Sequence, residues 1–265
     1  MNNILVPIGT SPDSKDTLEY AVDFASDFGS KVFIMDVFMV SSGAGSLANV
    51  QQKVAQNSID QIKELITEID TKKVDIKIAT YNGDIIDGIQ DIKKELGIDL
   101  IILAPRSNDV NEEYYLGNTT GRIIKETNIP TLIVPKGTKH KPIKTVLTAF
   151  RSGILKKSKV LGPLISIVNK YGSEVRLLLV KTPGYTEDDL KVNTSLLDLS
   201  KSMTISENPT TYLGVLENFQ KQHPDMLCVF RRKRGFFKKL WEKSTILKSE
   251  FYAPTPVLVL SVKKD

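Results

Sequence analysis

Five apolar positions and a glycine recur in this chain at one constant spacing, and that recurrence limits the fold more than any other feature. Leu18, Ala21, Val22, Ala25 and Phe28, closed by Gly29, return 143 residues later as Leu161, Leu164, Ile165, Val168 and Tyr171, closed by Gly172. Their spacing puts each set on one face of a helix, and glycine accepts the left-handed conformation that ends a helix. Neighbouring segments repeat as well. Asn3-Ile4-Leu5-Val6-Pro7-Ile8 has a counterpart in Thr145–Phe150. Ile98-Asp99-Leu100-Ile101-Ile102 is matched by Pro224-Asp225-Met226-Leu227-Cys228, and the strand after Pro130 by the strand after Pro254. A generic α/β chain shares part of this rhythm. The matched helix face with its closing glycine argues for a copied unit, with domains at 1–138 and 142–265 and a linker within 136–141.

Short runs that are apolar throughout alternate with amphipathic stretches. In the first half, strands are expected at 3–8, 31–37, 74–78, 99–103 and 131–134. Helices are expected from Ser11-Pro12 to Gly29, within 46–70, from Ile85 to Gly97 and from about Gly117. Strands buried on both faces and separated by helices imply parallel pairing. With right-handed crossovers the fold class is α/β: two tandem Rossmann-like repeats, each a five-stranded parallel sheet covered by helices on both faces. Ligands of such sheets sit beyond the carboxyl ends of the strands. The second copy is shorter between its second and fourth strands. Pro163 falls inside its first helix and should kink or delay it.

Composition narrows the setting. The single cysteine, Cys228, excludes an internal disulfide, fits a reducing compartment, and reads as a buried strand thiol. The start Met1-Asn2-Asn3 lacks a signal-peptide pattern, and no apolar run approaches the ~18 residues of a membrane span. A cytoplasmic protein without integral membrane association is expected. The net charge of +5 conceals an asymmetry. Residues 1–138 carry 13 Lys/Arg against 20 Asp/Glu, and residues 139–265 carry 23 against 11. Opposite signs favour docking of the halves, or an anionic partner on the second half, or are simply two solvated surfaces.

The strand Asn3–Ile8, the helix start Gly83-Asp84-Ile85, the strand Asp99–Leu103, the loop ending at Gly117 and the run Asn128-Ile129-Pro130-Thr131-Leu132-Ile133-Val134-Pro135 resemble universal stress proteins. The resemblance spans 1–136 and, more weakly, 143–262. It implies the adenine nucleotide alpha hydrolase-like fold and pairing of repeats through their fifth strands, here within one chain as a pseudo-dimer, with a homodimer also open. Nucleotide-binding members carry a G-x-x-G-x9-G-S/T loop after the fourth strand and an aspartate ending the first strand. Glycines let backbone amides reach phosphates at a helix N-terminus.

The spacing survives here but most of the residues do not. In the first repeat the loop positions are Ala104, Ser107, Gly117 and Asn118, and the aspartate position is Gly9. The resemblance makes Pro7, Ile8, Gly9, Thr10, Ala104, Ser107, Gly117, Asn118 and Thr119 the candidate, degenerate nucleotide pocket. No cofactor is required, and ATP or AMP in the first repeat is the alternative. In the second repeat the same positions are Phe230, Lys233, Lys243 and Ser244, with Arg151 for the aspartate, and the site reads as closed.

Residues 231–243 hold seven basic residues, Phe236, Phe237 and Trp241. Three readings stand: aromatic packing under solvated lysines, an anion site using Arg231, Lys233, Lys238, Lys239 and Ser244, or a basic membrane-surface face. No catalytic constellation is found. His140 and His223 lack neighbouring cysteines or carboxylates at metal-ligand spacing, and no metal site is expected. Glu112 and Glu113 read as solvated acids. The function expected is a stress-response ligand-binding or regulatory module, with an adenine-nucleotide-binding protein or slow ATPase as the alternative.

Overall fold

Ile4, Leu5 and Val6 are wholly buried, as are Val32, Ile34 and Met35 in the next strand, as expected of runs apolar on both faces. The computed structural model describes residues 1–9, 14–40, 47–105, 114–155, 157–232, 246–248 and 251–262. The elements before the linker are β1 (Asn3–Pro7), α1 (Ser14–Phe28), β2 (Lys31–Phe38), α2 (Leu47–Thr67), β3 (Ile76–Asn82), α3 (Ile85–Leu96), β4 (Leu100–Leu103), β5 (Tyr114–Leu116), α4 (Asn118–Glu126) and β6 (Thr131–Ile133). After it come β7 (Thr145–Phe150), α5 (Gly162–Tyr171), β8 (Glu174–Lys181), α6 (Thr194–Asp198), β9 (Ser200–Glu207), α7 (Thr211–Gln222), β10 (Met226–Arg231), β11 (Ile246–Leu247) and β12 (Val257–Ser261).

Two units share these elements: residues 1–104 with 136–140, and residues 105–135 with 141–265. The strands of the first unit run β3-β2-β1-β4, all parallel. Those of the second run β6-β12-β10-β7-β8-β9. There every pair is parallel except β6 with β12, which is antiparallel, with Leu132 opposite Leu258. β5 and β11 form a separate antiparallel ribbon. The ribbon was not expected, because its two short strands lie in loops rich in polar residues.

The order β9-β8-β7-β10 reproduces β3-β2-β1-β4, so both halves are wound alike. The likeness extends to single hydrogen bonds. The Asp99 carboxylate accepts from the amides of Asn2 (2.7 Å) and Asn3 (3.2 Å), and Asp225 accepts from those of Lys144 and Thr145 (both 3.0 Å). Ser30 Oγ donates to the Met1 carbonyl as Ser173 Oγ donates to that of Ile143. Gly29 and Gly172 take φ of 61° and 63°.

Helix boundaries follow local chemistry. Asp84 caps α3 by accepting from the Ile86 amide, and Gly97 ends it in the left-handed region. α7 ends the same way at His223, with φ 43°. Pro163 delays its helix: a 3-10 turn spans Ser158–Leu161, and the proline falls in the first turn of α5, where its missing N–H costs no helix bond. The expected strand at 74–78 lies further on, at Ile76–Asn82. The start of α1 expected at Ser11-Pro12 falls outside the described residues.

The two units do not follow the sequence halves. Residues 105–135 join the second unit because β6 pairs with β12, β5 pairs with β11, and Arg231 binds the end of α4. The chain then returns to the first unit, where the linker is pinned to α1. Lys139 Nζ lies 2.5 Å from Glu19, and His140 Nε2 lies 2.8 Å from Asp27. The His140 ring also stands edge-on to Tyr20 and Phe24. None of the described helices is long and apolar enough to cross a membrane.

Candidate functional site

Parallel strands leave their carboxyl ends at one end of a sheet, and in the first unit a pocket of about 240 Å³ opens there. Ile8 and Gly9 supply its floor from the end of β1, and Ser14 stands at the start of α1. Asp36 enters from β2, and Ser58, Gln61, Ile62 and Leu65 come from α2. The ladder between β1 and β2 continues into this end, with the Ile8 amide donating to the Met35 carbonyl at 2.9 Å. Ser14 Oγ donates to the Gly9 carbonyl at 2.7 Å and ties the first residue of α1 to the end of β1. Ser58 Oγ donates to an Asp36 carboxylate oxygen at 2.6 Å.

The site is therefore rich in acceptors. One Asp36 oxygen takes the Ser58 hydroxyl, and the carboxylate has lone pairs beyond that bond for a ligand donor. The exposed Gln61 offers both an acceptor and a donor. Ile8, Ile62 and Leu65 make the remaining wall apolar. This arrangement suits a small, flat or partly apolar molecule carrying N–H or O–H groups. A phosphate would meet the Asp36 charge.

Of the residues expected at a nucleotide site, Ile8 and Gly9 line this pocket. Pro7 is buried in β1 opposite Met35, and Ala104 is buried just beyond β4. Thr10 and Ser107 lie outside the described residues. Gly117, Asn118 and Thr119 belong to the second unit, where they open α4. Gly117 is its extended N-cap and makes no side-chain capping bond. The pocket residues Asp36, Ser58 and Gln61 were missed. A signal for Asp36 was present, since it alone interrupts the apolar run from Val32 to Phe38 near its carboxyl end.

At the second repeat's corresponding positions, side chains are already committed. Phe230 is buried and faces Phe150, with ring centroids 6.1 Å apart. The Arg232 guanidinium stands over the Phe230 ring and donates to the Ile154 carbonyl. Arg151 donates to the Gly184 carbonyl at 2.7 Å. These residues do not fit a phosphate-binding loop. Of the residues considered for an anion site, Arg231 is buried and donates to the carbonyls of Ile124 and Lys125 and to Asn128 Oδ1. It thereby closes the C-terminal, negative end of α4. Lys233, Lys238, Lys239, Ser244 and the aromatics of the basic segment lie outside the described residues.

Cys228 is fully buried, and desolvation pushes its thiol up to about 12, so it stays protonated at neutral pH and is a poor nucleophile. Among the described residues, no group of three or more His, Cys, Asp or Glu could hold a metal ion.

Residues 1–135 match the model of the Universal stress protein family. Universal stress protein MJ0531 of Methanocaldococcus jannaschii is 23% identical over 145 residues, which span 52% of this chain and 84% of that protein. Over its full length the chain is similar in structure to a universal stress protein from Archaeoglobus fulgidus DSM 4304, at 15% identity and a TM-score of 0.68, covering 99% of both chains. A functionally unknown protein, PA1789 from Pseudomonas aeruginosa PAO1, matches 99% of this chain and 93% of its own at 12% identity and a TM-score of 0.58. At these identities the two solved structures speak for the fold alone.

Proposed function

This chain belongs to the universal stress protein family, and from that premise we propose that it is a ligand-binding or regulatory module of the stress response, built from one family unit at 1–138 and a copy at 142–265. The first copy keeps a usable pocket, and the second has become a structural partner. The observation that carries this reading is the pocket at the carboxyl ends of β1 and β2, with Asp36 and Gln61 available to a ligand. Its volume of about 240 Å³ falls below the roughly 300–1,000 Å³ of sites for drug-sized molecules. It suits a small ligand, or the nucleoside part of a larger one. Gly9 removes the carboxylate that nucleotide-binding relatives hold at the end of the first strand, and Asp36 supplies one from the neighbouring strand.

Calorimetric titration with adenosine, AMP and ATP tests the reading. A ligand without phosphate should bind at least as tightly as ATP, and Asp36→Asn should weaken it about tenfold, the loss of one charge-assisted hydrogen bond. The purified protein, once denatured, should release no ATP. If neither adenosine nor AMP binds, and Asp36→Asn changes nothing, the pocket has no such role.

A second reading rests on Gly117. An α4 N-terminus capped without a side-chain bond offers amides to a phosphate. On that reading the chain binds ATP or AMP, ATP competes best in the same titration, and slow release of ADP distinguishes an ATPase from a binding protein.

A further inference from the structure

The strand β9 ends its sheet and carries two apolar side chains that the described residues of its own unit cover only in part. Met203 and Ile205 lie opposite Leu177 and Leu179 of β8. The two β8 residues are buried, whereas Met203 is 37% and Ile205 50% exposed. The cause lies in the length of the preceding segment. In the first unit the 21-residue α2 lies between β2 and β3 in sequence and packs on both. At the corresponding place before β9 the second unit has a 3-10 turn at Glu187–Leu190 and the five-residue α6. The edge strand of the first unit, β3, accordingly keeps Ile76 and Ile78 half-buried.

We infer that β9 is a self-association edge, and that its partner is the same strand of a second copy of this chain, paired antiparallel about Thr204. The sequence of β9 is complementary to itself in that register. About a two-fold axis at Thr204, Ser202 stands opposite Ser206 of the second copy, Met203 opposite Ile205, and Lys201 beside Glu207. Met203 and Ile205 share one face, and Ser202, Thr204 and Ser206 the other. One face then buries Met203 and Ile205 against their counterparts, and the other is a row of hydroxyls, both favourable cross-strand pairings.

The charges fall into place as well. Lys201 Nζ is 2.7 Å from Glu174 of β8, and Lys181 Nζ of β8 is 3.4 Å from Glu207. Lys201 and Glu207 remain exposed, at 72% and 78% of their side chains. Two-fold pairing brings these opposite charges together at each end of the seam, in an alternating row of four. A register shifted by one residue would set Lys201 against Ser206 or Asn208 and lose the match.

Edge strands are commonly guarded by proline, bulges or charges. Here charges stand only at the two ends, Lys201 and Glu207, and the bulge at the first of them. Ser200 lies opposite Val175 and Ser202 opposite Arg176, so Lys201 is an extra residue in a bulge, and 202–207 continue in regular register. A pairing this short buries too little surface for a tight complex, so the dimer should be transient and concentration-dependent. The C2 symmetry closes it at two copies.

Sedimentation velocity of the full chain across a range of concentrations tests the inference, together with cross-linking. The monomer should give way to dimer in the micromolar range, and Ile205→Lys should raise the dissociation constant at least tenfold. Thr204→Cys places one thiol opposite its own copy, close enough for a disulfide. Oxidation should therefore give a covalent dimer, whereas Ser202→Cys, which faces position 206, should give almost none. The buried Cys228 does not interfere. A monomer at every concentration, a dimer that survives Ile205→Lys without a Thr204→Cys cross-link, or equal cross-linking from both cysteine variants would each overturn the assignment.

Discussion

A single carboxylate does more for each half than its exposed position in the sequence suggests. Asp225 ties β10 to the start of β7 through the amides of Lys144 and Thr145, and pairs with Lys141 at 2.7 Å. Partial burial works against its ionisation, but Lys141 and the two amides prevail and hold its carboxyl below the ordinary aspartate range. Replacing Asp225 by Asn should cost about 1.5–3 kcal/mol at pH 7, read from urea denaturation. A depressed folded-state pKa stabilises above the unfolded value and loses that stabilisation as pH falls through the folded one. The gap between wild type and Asp225→Asn should therefore be full at neutral pH and should close below the normal aspartate pKa of about 3.9. His223 offers the opposite sign. Its left-handed φ of 43° is a conformation glycine adopts freely, and Gly97 does so at the equivalent end of α3. His223→Gly should gain about 1 kcal/mol, seen as a rise of about 2–4 °C in Tm.

At the scale of elements, Arg231 decides whether α4 has a closed end. Its guanidinium serves two carbonyls and Asn128 from a buried position. Arg231→Met should cost about 3 kcal/mol, because those carbonyls would lose their donors inside the protein. Loss of stability without any change in affinity for a polyanion such as heparin would separate this role from an anion site. Most elements were legible in the sequence, for a physical reason. Strands such as Leu100–Leu103 and helices such as Ile85–Leu96 carry their burial pattern in their own residues, and Gly97 and Asp84 mark the helix ends. What was not legible depends on distant partners. Tyr114–Leu116 is a strand only because Ile246–Leu247 lies beside it. Likewise the pocket residues Ser58 and Gln61 sit on a helix whose sequence shows amphipathicity but not the place where it meets β2. The family's loop pattern directed attention to Ala104 and Gly117, whereas Asp36, a lone acid in a buried strand, announces the pocket more directly.

At the scale of the whole molecule, the antiparallel pair of β6 and β12 governs how the chain can be divided. A fragment ending at residue 138 keeps β6 but loses the strand that covers its edge. Such a fragment should self-associate through β6, giving twice the monomer mass by light scattering, and addition of a 142–265 fragment should convert it to a one-to-one complex. A fragment that stays monomeric alone and ignores the other half would contradict the pairing.

That pair also sets a timetable during synthesis. Leu132 must wait for Leu258, so the ribosome adds 126 further residues before the two can meet. At ~5–20 residues per second the delay is roughly 6–25 s. Through that interval Thr131–Ile133 waits without the strand that pairs antiparallel with it, while Lys139 and His140 can already clasp α1. The newborn chain thus has a predictable window in which a holding chaperone would be of most use to it.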